Sequence, residues 1–274
     1  MFDDLPGQIH KAIIEADRWK LYLDGLGTTI LLAVGAVLIG LLLGSLVGIA
    51  KVHTASVRKR RWYHKILNAI CNIYLTVIRG TPMVTQLLIM VNIVFASAKV
   101  EHSIYVAMLS FGINSGAYVA EIIRAGINAV DRGQMEAGRS LGLPGGKTMR
   151  LIILPQAVKN ILPALGNEFI VLVKETAVVG YVAVQDLTKA ANWIQTKTFQ
   201  PLVPLLLSAL IYLVLVMLMT WGLRKLERRP VSYTHLDVYK RQGYDGRLLF
   251  RIIIRMRAGF IPARTKDTWV RWQE

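Results

Sequence analysis

Long apolar runs alternate with short polar segments along this chain. Gly25 to Ala50 is 26 residues without a charge, and about 20 apolar residues suffice to cross the hydrocarbon core of a bilayer. The run predicts a membrane helix. It starts too far from Met1, and is too long, for a cleaved leader. Gly40, Gly44 and Gly48 recur within it at every fourth position. That spacing suits close helix packing, although membrane helices are rich in glycine in any case. The second apolar stretch, Ile66 to Ala98, is predicted to break at Thr81-Pro82, since proline offers no backbone donor and disfavours helix at the residue before it. Ser103 to Ile127 forms a third stretch. Leu151 to Val184 forms a fourth, interrupted by Pro155 and Pro163, and Pro201 to Gly222 a fifth. The pattern predicts an all-α membrane protein with about five transmembrane helices.

Charge orients those helices. The chain has 33 Lys and Arg against 17 Asp and Glu, a net +16, yet only 18% of its residues are charged and 54% are hydrophobic. Such a balance argues against a soluble enzyme or a disordered chain. Lys51 to Lys65 holds six basic residues (Lys51, Arg58, Lys59, Arg60, Arg61 and Lys65) and no acid, which marks a cytoplasmic loop. The amino terminus is then outside, with residues 1–24 along the outer surface. The carboxyl terminus is cytoplasmic, behind the cluster Arg224, Lys225, Arg228 and Arg229. The basic excess is thus a topology signal, and no nucleic-acid partner is expected. The one cysteine, Cys71, lies in an apolar run, so neither an internal disulfide nor a cysteine zinc site is expected. His53 and His64 read as surface residues of the basic loop.

The polar segment before the fourth stretch carries a spaced motif. It reads Glu136-Ala137-Gly138, then Gly142, and after nine residues Ile152, Leu154 and Pro155. This resembles the EAA loop of ABC importer permeases, with Gly138 where the family has alanine. Val77 to Pro82, Gly116 to Arg124 and Lys174 to Val179 resemble stretches of the polar amino acid permeases. The resemblance covers roughly residues 20 to 229. It implies the type I importer permease fold, with residues 25–229 as the transmembrane domain and 131–155 as the coupling loop. Glu136, Ala137, Gly138, Gly142, Leu154 and Pro155 would serve coupling, through a short helix seated in a cleft of an ATPase subunit. Glu136 is expected near that helix's start, where a carboxylate suits the dipole. The implied partners are an ATPase dimer, a second permease copy (identical or not), an extracytoplasmic binding protein and an amino acid substrate, in the bacterial inner membrane. No cofactor is expected in this chain, with ATP and Mg held by the ATPase. The stretch Gly142 to Thr148 looks like a phosphate loop but falls one residue short of its spacing.

Charged and polar groups inside apolar stretches are costly and mark candidate sites. At a rise of ~1.5 Å per residue, Arg79 and Glu168 lie roughly 20 Å from the inner face and Asn114 and Ser115 roughly 17 Å from the outer one. Arg79 would bind a carboxylate, Glu168 an ammonium, and Asn114, Ser115 and Asn167 would add neutral hydrogen bonds. The competing expectation is that Arg79 and Glu168 pair with each other, or that Arg79 extends toward an interface. Glu121 and Arg124, three residues apart on one helix, are expected to form a structural pair. An ATP-independent secondary transporter or channel is the alternative function, but it leaves the motif spacing unexplained. After Arg229 the character changes. Val231 to Gln242 resembles a translated adapter or vector sequence, so 230–274 is expected to be a non-native tail. The alternative is a basic amphipathic segment around Leu248 to Met256.

Overall fold

The computed structural model describes residues 5–56 and 61–227. The expected tail, Arg58 to Arg60 of the first basic loop, and Arg228 and Arg229 lie outside those residues. The described chain is helical, without a strand. Its helices are α1 (Leu5–Ile9), α2 (Trp19–Ser56), α3 (Trp62–Gly80), α4 (Met83–Ile89), α5 (Ser103–Asn128), α6 (Arg132–Ser140), α7 (Gly145–Thr148), α8 (Leu154–Glu175), α9 (Leu187–Thr198) and α10 (Leu202–Glu227). Trp19–Ala55, Val100–Asn128 and Leu202–Glu227 are each long and apolar enough to cross a membrane, and Trp62–Gly80 with Met83–Val94 reach that length and apolarity together as a pair bent by 108°, the geometry of a broken span or a re-entrant loop. The fifth expected crossing, α8, has 22 residues and reaches roughly 33 Å. Its Lys159, Glu168, Lys174 and Glu175 make it too polar to count as a span by composition.

The glycine ladder of α2 is a packing seam. A Cβ at Gly40 would stand 3.0 Å from the Ser115 Cβ, one at Gly44 2.6 Å from the Val119 Cβ, and one at Gly48 3.1 Å from the Ala120 carbonyl oxygen. From the other side, a Cβ at Gly112 of α5 would meet Ile39 at 2.6 Å. Backbones this close gain dispersion contacts along their whole length, the main source of helix association in lipid. Leu32, Ala36, Phe111, Leu87 and Leu172 continue the packing across α2, α5, α4 and α8.

Pro82 breaks the second stretch as expected, and one side chain holds the break. Thr81 is extended (φ −119°, ψ 146°) and Pro82 starts α4. The last carbonyls of α3 lose their helical partners there. Gln86 supplies substitutes: its Nε2 donates to the Ile78 carbonyl at 2.7 Å, the Thr81 carbonyl at 3.1 Å and the Thr81 hydroxyl at 2.8 Å. Its Oε1 accepts from Asn114 Nδ2 at 3.1 Å, which ties the elbow to α5. Replacing Gln86 with Leu strands those carbonyls and is expected to cost about 1–3 kcal/mol. A thermal shift of several degrees in detergent would register it, and an unchanged melting curve would contradict the stapling role.

The prolines of the fourth stretch behave differently from expectation. Pro155 sits at the start of α8, where a missing donor is tolerated, and the chain enters through a wide π turn, Met149–Ile153. Pro163 lies inside α8 without interrupting it. The amino-terminal segment packs Ala12 and Tyr22 against Leu187, Ala191 and Ile194 of α9 and Val203 of α10. Asp186 caps α9, accepting from the Thr188 and Lys189 amides at 3.1 and 2.9 Å. His64 corrects the surface reading: it is buried, with its ring stacked on His53 at 5.7 Å between centroids and tilted against Tyr63 at 4.2 Å. Cys71 is buried as a small packing residue.

Candidate functional site

At one end of the bundle, α6 and α7 form a compact loop between α5 and α8. Asp131 caps α6, its Oδ1 accepting from the Gly133 amide at 2.6 Å. The helix ends in a two-bond lock: the Gly142 amide donates to the Arg139 carbonyl at 3.0 Å and the Leu143 amide to the Gly138 carbonyl at 3.1 Å. This is the Schellman arrangement, which requires a left-handed residue at the turn. Gly142 supplies it with φ 83°. The motif glycine is therefore a helix stop, placed by backbone geometry.

Gly138 faces inward. A Cβ there would collide with Thr148 Cγ2 and stand 3.1 Å from Ile152 Cδ1, so α6 lies flush on the returning chain. Glu136, Ala137 and Arg139 are exposed, as is Leu141, at 82%. Leu141 thus stands out at the carboxyl end of α6, between Ser140 and Gly142, as the apolar tip of a knob. Glu136 is the fifth residue of α6 and no acid occupies its first turn, so the expected dipole role passes to Asp131. Leu154 and Pro155 are exposed at the foot of α8. The phosphate-loop look-alike folds as the turn Gly145–Thr148, with Thr148 buried and its hydroxyl 3.3 Å from the Pro144 carbonyl.

The polar residues within the bundle are partly gathered. Ser115, fully buried against α2, donates to Glu168 Oε1 at 3.2 Å. Asn114, one position away, is buried and holds Gln86. Arg79 is exposed at the end of α3, with its guanidinium 5.4 Å over the Tyr118 ring. Among the described residues no ion pair joins Arg79 to Glu168. Asn167 is exposed and makes no hydrogen bond to Ser115 or Glu168. Glu121 and Arg124 form the expected pair, Nε to Oε2 at 2.9 Å and NH2 to Oε1. The sequence singles out neither Tyr74 nor Gln86, and Tyr118 only as part of the Gly116 to Arg124 stretch. Gln86 follows Pro82 by four residues, where a helix's first turn could reach back, and that position was its only signal. The Tyr74 hydroxyl donates to the Ile113 carbonyl at 2.6 Å and stands against Gly116.

Membrane-length helices around a polar, proline-broken elbow, with a capped and exposed loop helix at one end, define a membrane transport component. Residues 40–231 match the family of binding-protein-dependent transport system inner membrane components. The chain belongs to that family, and it is a multi-pass inner membrane protein. The putative glutamine transport system permease protein GlnP of Rickettsia felis is 40% identical over 212 residues, spanning 76% of this chain and 92% of its own length. The arginine transport system permease protein ArtQ of Bacillus subtilis is 40% identical over 214 residues, spanning 77% and 92%. A crystal structure of an amino acid ABC transporter with histidines superposes with a TM-score of 0.70 at 42% identity, covering 77% of this chain and 94% of that one. The inward-facing MetNI methionine ABC transporter shares the fold, with a TM-score of 0.65 at 18% identity.

Proposed function

We propose that this chain is the membrane-spanning subunit of an ATP-driven amino acid importer, working with ATPase subunits, a second permease copy and an extracytoplasmic binding protein. The observation that carries this reading is the α6 knob. It is a short helix capped at both ends, with Glu136, Ala137 and Leu141 open to a partner and Gly138 and Gly142 devoted to its shape. A secondary transporter leaves the spacing from Glu136 to Pro155 unexplained, and the relatives named above are permease proteins of transport systems. The knob faces the cytoplasm, the amino terminus lies outside, and ATP and Mg belong to the ATPase. Closure of the ATPase dimer moves the knob and, through α5 and α8, switches access to the pathway.

The substrate lies near the Ser115–Glu168 contact and the α3 elbow. Glu168 takes an ammonium, Arg79 the carboxylate with Tyr118 behind it, and Asn114, Ser115 and Asn167 contribute neutral hydrogen bonds. Losing a charged hydrogen bond costs about 1.5–3 kcal/mol, so Glu168→Ala and Arg79→Ala are each expected to weaken apparent affinity roughly 10–100-fold. ATP-dependent uptake into proteoliposomes with a binding protein tests this. Unchanged affinity in both variants would remove the pocket, and uptake without ATP would remove the importer reading.

A further inference from the structure

The helix α3 differs from α2 and α10. α2 and α10 are apolar around their circumference over their membrane portions, whereas α3 has three faces. His64 and Cys71 are buried, and with the half-buried Ile78 they form the face toward the bundle. Ile66, Ile70, Ile73 and Val77 are exposed and apolar, as lipid requires. Between these faces, Lys65, Asn68, Asn72, Thr76 and Arg79 fall within an arc of about 80°, at 100° per residue. Lys65, Asn72, Thr76 and Arg79 are exposed and Asn68 half-buried. A polar stripe on a membrane helix does not face hydrocarbon, because unmet polar groups there cost several kcal/mol each.

The neighbouring helices add to the stripe. Lys51 of α2 reaches across to it, with Nζ donating to Asn68 Oδ1 at 3.0 Å and Asn72 Oδ1 at 2.5 Å. Both partners are neutral amides. Glu121, on α5, is engaged by two nitrogens of Arg124. Seven residues along α3 from Asn72, Arg79 lies over Tyr118 of α5. At the Lys51 end the stripe opens into a cavity of about 650 Å³. Lys51, Arg124 and Arg132 supply three cations to its lining, and Asp131, already engaged as the α6 cap, is the one carboxylate among its lining residues. The cavity lies directly behind the knob helix, with Met135 of α6 in its wall.

We infer that the polar face of α3 walls an aqueous route, and that the cavity around Lys51 is an exit-side station for the carboxylate of the transported solute. The station deepens the transport reading and rests on it. Arg79 and Lys51 are two cationic stations about 10 Å apart along α3, counting seven residues of helical rise. A carboxylate passes from the first to the second, where the Lys51 ammonium is hydrogen-bonded to two neutral amides and, among the described residues, to no carboxylate. Because α6 forms part of the cavity wall, movement of the knob reshapes the second station.

Thiol accessibility tests this without assuming a substrate. In a Cys71→Ala background, Asn72→Cys and Thr76→Cys are expected to react with membrane-impermeant methanethiosulfonates at least tenfold faster than Ile70→Cys and Ile73→Cys. At Thr76→Cys the anionic sulfonatoethyl reagent stands in for a carboxylate. Its rate relative to the cationic trimethylammonioethyl reagent, each referenced to a free thiol, is expected to fall severalfold on adding Lys51→Gln. Slow reaction at both polar positions overturns the aqueous route, and disulfide cross-linking between copies through Asn72→Cys would then identify a dry interface. An unmoved rate ratio overturns the station at Lys51. Uptake measured in the same vesicles separates the outcomes: intact ATP-driven uptake with a dry stripe removes this inference alone, whereas loss of ATP dependence in the parent removes the transport reading.

Discussion

Replacing Gly142 with Val is expected to cut ATP-driven uptake by about tenfold or more while leaving the protein inserted in the membrane. The left-handed conformation costs a residue with a Cβ roughly 1–2 kcal/mol, and a β-branched residue at φ 83° stands at the unfavourable end of that range. The Schellman bonds from Gly142 and Leu143 would open, and the end of α6 would unwind where Leu141 must be presented. Nothing stands within 4 Å of a Cβ at this position, so crowding cannot be the cause. Asn tolerates the left-handed region, and Gly142→Asn is therefore expected to keep most of the uptake. The readouts are ATP-driven uptake and substrate-stimulated ATP hydrolysis in proteoliposomes, with membrane insertion scored separately. Normal coupling in the Val variant would detach the α6 lock from function.

The second large effect concerns the fold. Gly44→Ala is expected to reduce the yield of folded, monodisperse protein severalfold and to lower its melting temperature in detergent. The added carbon would sit 2.6 Å from the Val119 Cβ and 2.7 Å from the Gly116 carbonyl oxygen. The second contact is backbone and cannot rotate away, so α2 and α5 must part. Overpacking of this kind costs about 1–3 kcal/mol, and here it breaks a seam along which Gly40 and Gly48 also sit. Gly27→Ala is the matched control, since nothing lies within 4 Å of its Cβ and alanine is the better helix former. Equal behaviour of the two variants would refute the seam.

Much of this was legible in the sequence, because membranes impose simple rules. Charge-free length marked α2 and α10, Pro82 marked the elbow, and the spacing from Glu136 to Pro155 marked the loop. The illegible parts have specific causes. Whether Pro163 breaks a helix depends on neighbours that sequence does not place, and the chain carries α8 through it. Glu136 was expected at a helix start because the true cap, Asp131, lies five residues earlier, outside the motif. Gln86 and Tyr74 act through backbone carbonyls of other elements, and no pattern of residue types encodes such partners. The stripe on α3 was present in the sequence but hidden by its mildness: Asn and Thr do not interrupt a charge-free run, so only their shared angle around the helix reveals them. Arg79 and Glu168, matched for depth by counting residues, stand apart because depth along an axis says nothing about direction around it.

The seam between α2 and α5 has a mechanical consequence. Surfaces that interlock at Gly40, Gly44, Gly48, Gly112 and Gly116 have no room for gradual sliding, since a small shift drives a glycine hollow onto a side chain. The next matching register lies a full helical turn away, about 5.4 Å. The two helices therefore behave as one stiff beam. A push on the α6 end of α5 would carry α2 with it, and the 108° elbow at Pro82, held by the Gln86 clasp, is a joint at the edge of that beam.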